Sequence, residues 1–171
     1  TNAKDRSLVI TAVADGHGSQ KCKYSNAGSE KAVNSFFELF ENLVLQLDND
    51  YENLYRFISE NKDDFIPKKI CSLWKEKVEA YHRNNHSNEP FEQIYYGTTL
   101  IGIIVCPLFC FSFQIGDGDI LIVDSTGLTV RMMDSEKILG NETYSLSSKD
   151  AWKFSNTMMK HFQSNDDIPA L

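Results

Sequence analysis

The sequence predicts an α+β domain in which helices pack on antiparallel sheets. Three observations carry this. Residues 7–14 read Ser-Leu-Val-Ile-Thr-Ala-Val-Ala, residues 33–81 show helical periodicity, and residues 98–132 turn abruptly to β-branched and aromatic runs. At 171 residues the chain is of single-domain length, and a compact fold of that size buries roughly 70 % of its unfolded surface without help from disulfides or structural metal.

Taken in order, residues 7–14 are apolar on alternate and intervening positions alike, as expected of a strand covered on both sides. After a polar stretch, Val33, Phe36, Phe37, Phe40, Val44 and Leu47 recur at steps of three and four and predict an amphipathic helix ending near Asp48-Asn49-Asp50. A short helix follows over residues 51–60. A third starts around Pro67, buries Ile70, Trp74, Val78 and Tyr81, and dissolves into Arg83-Asn84-Asn85-His86-Ser87-Asn88. Strands are predicted over 98–106, 109–115, 120–124 and 128–132. Gly116-Asp117-Gly118-Asp119 and Asp124-Ser125-Thr126-Gly127 are the tight turns of an antiparallel meander. Ser147-Ser148-Lys149-Asp150 has the form of a capping box, with Trp152, Ser155, Met159 and Phe162 on one face of the helix it would start. Residues 168–171 begin a further apolar segment.

Composition narrows the function. A net charge of −7 argues against capture of nucleic acid or anionic membrane and suits divalent cations. Cys22, Cys71, Cys106 and Cys110 form neither a CxxC pair nor a regular framework, so reduced, mostly buried thiols are expected. The polar start has no signal-peptide core. The most apolar run, residues 100–113, is broken by Gly102, Pro107 and Ser112 and is shorter than the ~20 residues of a spanning helix. The protein is therefore expected in the cytoplasm; the two Asn-x-Ser/Thr triplets at Asn85 and Asn141 do not alter this.

The sharpest local feature is Asp15-Gly16-His17-Gly18-Ser19 at the end of the first strand. Asp15 can ligate a hard cation, the Gly16 carbonyl can turn to the same ion, and His17 can exchange protons. An ordinary turn with an Asx-type hydrogen bond accounts equally well for these residues. Gly116-Asp117-Gly118-Asp119 delivers a second carboxylate between strands, or is simply a hairpin turn of residues that accept positive φ. It is not an EF-hand, because Leu121 stands where an oxygen ligand is needed. His82 and His86 share the i, i+4 spacing of a helical metal pair, but Arg83 follows where a zincin has glutamate, and a solvated helix end is the favoured reading. Trp74, Trp152 and the Phe36, Phe37, Phe40 row read as core, as do Met132-Met133 and Met158-Met159; Asp166-Asp167 reads as a solvated turn.

The order Val13-Ala14-Asp15-Gly16-His17-Gly18, a helix, Gly97-Thr98-Thr99, then Gly116-Asp117-Gly118 before Ile-Leu-Ile-Val resembles the metal-dependent type 2C (PPM) serine/threonine protein phosphatases. The stretch from Leu139 to Leu146 is similar to their bacterial branch. The resemblance spans nearly the whole chain. It implies two antiparallel sheets forming a sandwich flanked by helices in four layers, αββα, with a binuclear Mn²⁺ or Mg²⁺ centre at one end and a third, weaker ion.

By the same resemblance Asp15 is the bridging carboxylate, the Gly16 carbonyl a metal ligand, His17 the acid that protonates the leaving seryl or threonyl oxygen, and Asp117 a ligand of the third ion. Gly97, Thr98 and Thr99 form a structural motif beneath. The implied reaction is attack of a metal-activated water on a phosphorylated protein substrate by a monomer, with two cations about 3.5–4 Å apart and no protein nucleophile. Ser19 replaces a usual glycine and Gly118-Asp119 a common Ser-Arg pair. The family's upstream acidic motif is missing, since Asp5 is poorly placed for it, and so are its downstream Thr-Asp-Gly and Asp-Asn motifs. The expectation is a single phosphatase-like domain over residues 1–171 lacking its N- and C-terminal ligand-bearing strands, active when complete and inactive as this segment. The alternative is a catalytically silent pseudophosphatase serving as an interaction or regulatory module.

Overall fold

The computed structural model describes residues 8–123, 127–133 and 143–162. Asp5, the turn at 124–126, the first half of the Leu139 stretch including Asn141, Asp166-Asp167 and residues 168–171 lie outside them. Strand β1 (Val9–Val13) leads through the Asp15 loop to helices α1 (Ser25–Gln46), α2 (Tyr51–Asn61) and α3 (Phe65–Asn85) and a 3₁₀ turn, Gln93–Tyr96. Strands β2 (Leu100–Val105), β3 (Phe109–Ile115), β4 (Leu121–Val123) and β5 (Thr129–Arg131) follow, then a second 3₁₀ turn, Ala151–Phe154, and β6 (Asn156–His161). The α+β class holds, with two antiparallel sheets. One runs β1-β2-β3-β6 and the other is the β4-β5 hairpin.

Period-two alternation along β2 and β3 creates the two cores. Leu100, Ile104, Phe109, Phe111, Phe113 and Ile115 face the apolar sides of all three α-helices, where Phe36, Phe40, Leu54, Ile58, Ile70 and Trp74 lie. The opposite face, with Val105 and Cys110, meets Ile120, Met132, Met133 and Phe162 beneath the hairpin. Among the described residues the layers thus run helices, sheet, sheet. All seven residues of β3 are buried, because it has a neighbour on each side and a core above and below.

Four expectations are corrected. Among the described residues β1 is an edge strand, with Thr11 and Val13 exposed, and not a strand covered on both faces. α1 begins at Ser25, well before Val33, because its first turns are buried through Ala27, Gly28 and Ala32, too small to register as an apolar stripe. The meander is broken: β3 and β4 part company at Gly116, and the strand beside β3 is β6, in the register Phe111 opposite Met159. The segment expected as a helix is therefore a 3₁₀ turn and a strand. The hydroxyl of the would-be capping Ser147 is committed to Ser145, Asp150 sits at φ 53°, and the open edge of β3 offers a full ladder. Within that strand Met159 packs on the first core while Met158 is exposed.

α1 is seated by a close backbone approach. An ideal Cβ on Gly28 would lie 2.0 Å from the Tyr96 carbonyl oxygen, and the buried Trp74 indole donates to the Gly28 carbonyl at 3.0 Å. Gly28→Ala forces these elements apart, and we expect a loss of about 3 kcal/mol, the upper part of the range for overpacked cores, measured as a lowered urea midpoint at unchanged slope.

Candidate functional site

The antiparallel registers place three loops at one end of the large sheet. Val13 pairs with Ile101 and Leu100 with Ile115, so the residues after β1, before β2 and after β3 converge there. These are Asp15-Gly16-His17, Gly97-Thr98-Thr99 and Gly116-Asp117-Gly118. The meeting point is the buried pair Thr98 and Thr99. The Asp15 amide donates to the Thr99 hydroxyl at 3.1 Å, while the Asp15 carbonyl accepts from the Thr99 amide at 2.9 Å and the Thr98 hydroxyl at 3.0 Å. The His17 amide donates to the Gly97 carbonyl at 3.0 Å.

This pattern leaves Gly16 opposite Thr98 as a bridge whose own N–H and C=O point away from the partner strand. Its missing side chain matters too, since a Cβ would stand 2.8 Å from the Ser25 carbonyl at the start of α1. Gly97 is the floor under His17. A Cβ there would meet His17 Cδ2 and Cys22 Sγ, each at 2.9 Å, and Ser147 Oγ at 3.2 Å. Gly116, at φ 96°, turns the chain out of β3 with its Cα face against Thr99, 2.4 Å from an ideal Cβ to Thr99 Cγ2. Gln114 secures that turn by donating to the Gly116 and Gly118 carbonyls at 3.3 and 2.9 Å. One threonine therefore touches both acidic loops.

The donor chemistry fits a hard divalent cation. Among the described residues the exposed Asp15 carboxylate and the Gly16 carbonyl make no hydrogen bond, and both are oxygen ligands of the kind Mn²⁺ and Mg²⁺ take. Asp117 is exposed on the neighbouring loop. No group of three or more His, Cys, Asp or Glu side chains gathers at a common point among the described residues.

His82 and His86 are neither a metal pair nor a solvated helix end. His82 is buried, with Nε2 at 3.0 Å from the Glu89 carbonyl and Nδ1 at 2.9 Å from the Tyr96 hydroxyl. The carbonyl only accepts, so Nε2 carries the proton and, in the neutral ring, Nδ1 receives the tyrosine's. His86 stacks on Tyr24 with ring centroids 3.8 Å apart. Ser145, noted in the sequence only as part of the Leu139–Leu146 stretch and given no role there, is a polar anchor buried against Thr98. The following Ser147 had a legible signal only as the start of a helix cap.

The chain matches the family model for protein phosphatase 2C over residues 1–167, and it belongs to that family. A comparison with curated proteins finds no significant match. No helix among the described residues is long and apolar enough to cross a membrane.

None of the four cysteines is in a disulfide, and Cys22, Cys106 and Cys110 are buried. Burial pushes the Cys71 and Cys110 thiols from the ordinary 9.0 up to about 12 and raises that of Cys22 as well. A raised thiol pKa leaves stability intact below pH 9 and removes it as pH climbs toward 12, because only the unfolded chain ionises in that window. We expect the unfolding midpoint to fall across that range. At pH 8, iodoacetamide should leave Cys71 and Cys110 unlabelled in the native protein and label both in guanidinium, as read by peptide mass spectrometry.

Proposed function

We propose that the complete protein hydrolyses phosphoserine and phosphothreonine in phosphorylated proteins, with Mn²⁺ or Mg²⁺ held by Asp15, the Gly16 carbonyl and, for a further ion, Asp117. The observation that supports this best is the convergence of both acidic loops on Thr98 and Thr99 in a member of a phosphatase family. When bound, such cations supply Lewis acidity toward the phosphoryl oxygens and an acidified water.

The chain's own residues do the rest. Thr98 and Thr99 fix the Asp15 backbone through three short hydrogen bonds, so the carboxylate is presented from a rigid base although it is itself exposed. His17 is half-buried, its backbone tied to Gly97 and the Cδ2 edge of its ring against the Gly97 floor. From there it delivers a proton to the departing seryl or threonyl oxygen. Cysteines outside any disulfide and a net charge of −7 accord with a monomer working in the cytoplasm on protein, without affinity for nucleic acid or membrane.

The test is hydrolysis of p-nitrophenyl phosphate by the complete protein. Turnover should require Mn²⁺ or Mg²⁺, and Asp15→Ala should lower it by about a hundredfold or more, in line with losing several kcal/mol of electrostatic stabilisation. Undiminished turnover in excess chelator sinks the reading. A complete protein that neither turns over substrate nor binds Mn²⁺ in calorimetry is the silent interaction module instead.

A further inference from the structure

The segment from Tyr144 to Ser147 has no part in the function so far described, yet it touches both site loops. At one end the Tyr144 carbonyl oxygen lies 3.0 Å from an ideal Cβ on Gly116, beside Asp117. At the other, Ser147 Oγ closes the space above Gly97 that His17 and Cys22 share. Between them the Ser145 hydroxyl, buried with its residue only 6 % exposed, accepts from the Thr98 amide at 3.0 Å and the Ser147 amide at 3.2 Å. Two N–H groups fill its two lone pairs, leaving one hydrogen for the Thr98 carbonyl at 3.1 Å or Ser147 Oγ at 2.9 Å. The Leu146 amide donates to the same Thr98 carbonyl at 2.9 Å.

Both polar groups of the Thr98 backbone are thus gripped from the side away from Asp15, while the Thr98 hydroxyl holds Asp15 itself. The grip also sets Gly97, whose carbonyl receives the His17 amide and whose bare Cα is the seat of the ring.

We infer that Ser145 is a positioning residue for proton delivery by His17, acting through Thr98 and Gly97 and aided by Ser147, which limits how far the ring can slide. This rests on the reading of His17 as the acid. Its signature is a dependence on the leaving group. A p-nitrophenolate departs readily without a proton, whereas phenolate needs one, so misplacing the acid slows phenyl phosphate selectively. A general loss of folded structure slows both substrates alike.

The experiment compares wild-type complete protein with Ser145→Ala in Mn²⁺. We expect kcat on phenyl phosphate to fall by about a hundredfold, within the span of general acid catalysis, with KM little changed and at least tenfold less effect on p-nitrophenyl phosphate. The ring signal of His17, one of four histidines, should move in the ¹H–¹³C spectrum while that of His161 stays. Equal losses on the two substrates, or no loss, overturn the proposal. Where Ser145→Ala does not fold, Ser147→Ala carries the same comparison, with a smaller but still leaving-group-dependent loss expected. If the wild type hydrolyses neither substrate, the phosphatase reading fails separately, and the His17 signal then decides the placement: a shift supports the clasp and an unmoved signal overturns it.

Discussion

The contact on which the rest depends is the one between Gly28 and the backbone of Tyr96. No side chain fits between them, and the indole of Trp74 closes over the Gly28 carbonyl from α3. The Tyr24 amide adds a hydrogen bond to the Tyr95 carbonyl at 2.8 Å, and the Tyr96 hydroxyl reaches His82. Two helices distant in sequence, α1 and α3, are thereby fixed to one short turn. The next residues are Gly97, Thr98 and Thr99, so the base of the site inherits its position from the helical layer. Any change that lets α1 drift tilts the floor under His17 and the hydroxyls under Asp15 together.

The site divides its work between buried and exposed groups. Thr98, Thr99 and Ser145 are buried, and each of their hydroxyls finds a partner, which is the condition for burying it without large cost. The carboxylates of Asp15 and Asp117 stay in water, which spares the cost of burying a charge. Rigidity comes from the neutral layer and charge from the layer above it.

Much of this was legible in the chain. Long apolar spacings located all three helices, and three glycine-bearing loops marked the end of the sheet where the candidate site is proposed. What escaped notice has a common cause, namely small or dual-purpose residues. Ala27 and Gly28 bury a helix turn without looking apolar. Ser147 looks like a cap when read locally but bonds Ser145, which in turn serves Thr98, remote in sequence. Residues 156–161 fit a helical spacing and a strand alternation alike, and the vacant edge of β3 decides between them. His82 reads as polar until Tyr96 and Glu89 are brought to it by folding.

The burial of β3 has a consequence for how the chain is made. Its partner β2 emerges from the ribosome just before it, but β6 emerges only after β4, β5 and the second 3₁₀ turn. Throughout that interval a nascent chain carries a strand with Phe109, Phe111 and Phe113 on one face and an unpaired edge. Such an edge is a template for pairing with another chain. Translation speed between residues 115 and 161 therefore bears on yield, and any aid to folding acts chiefly in that window.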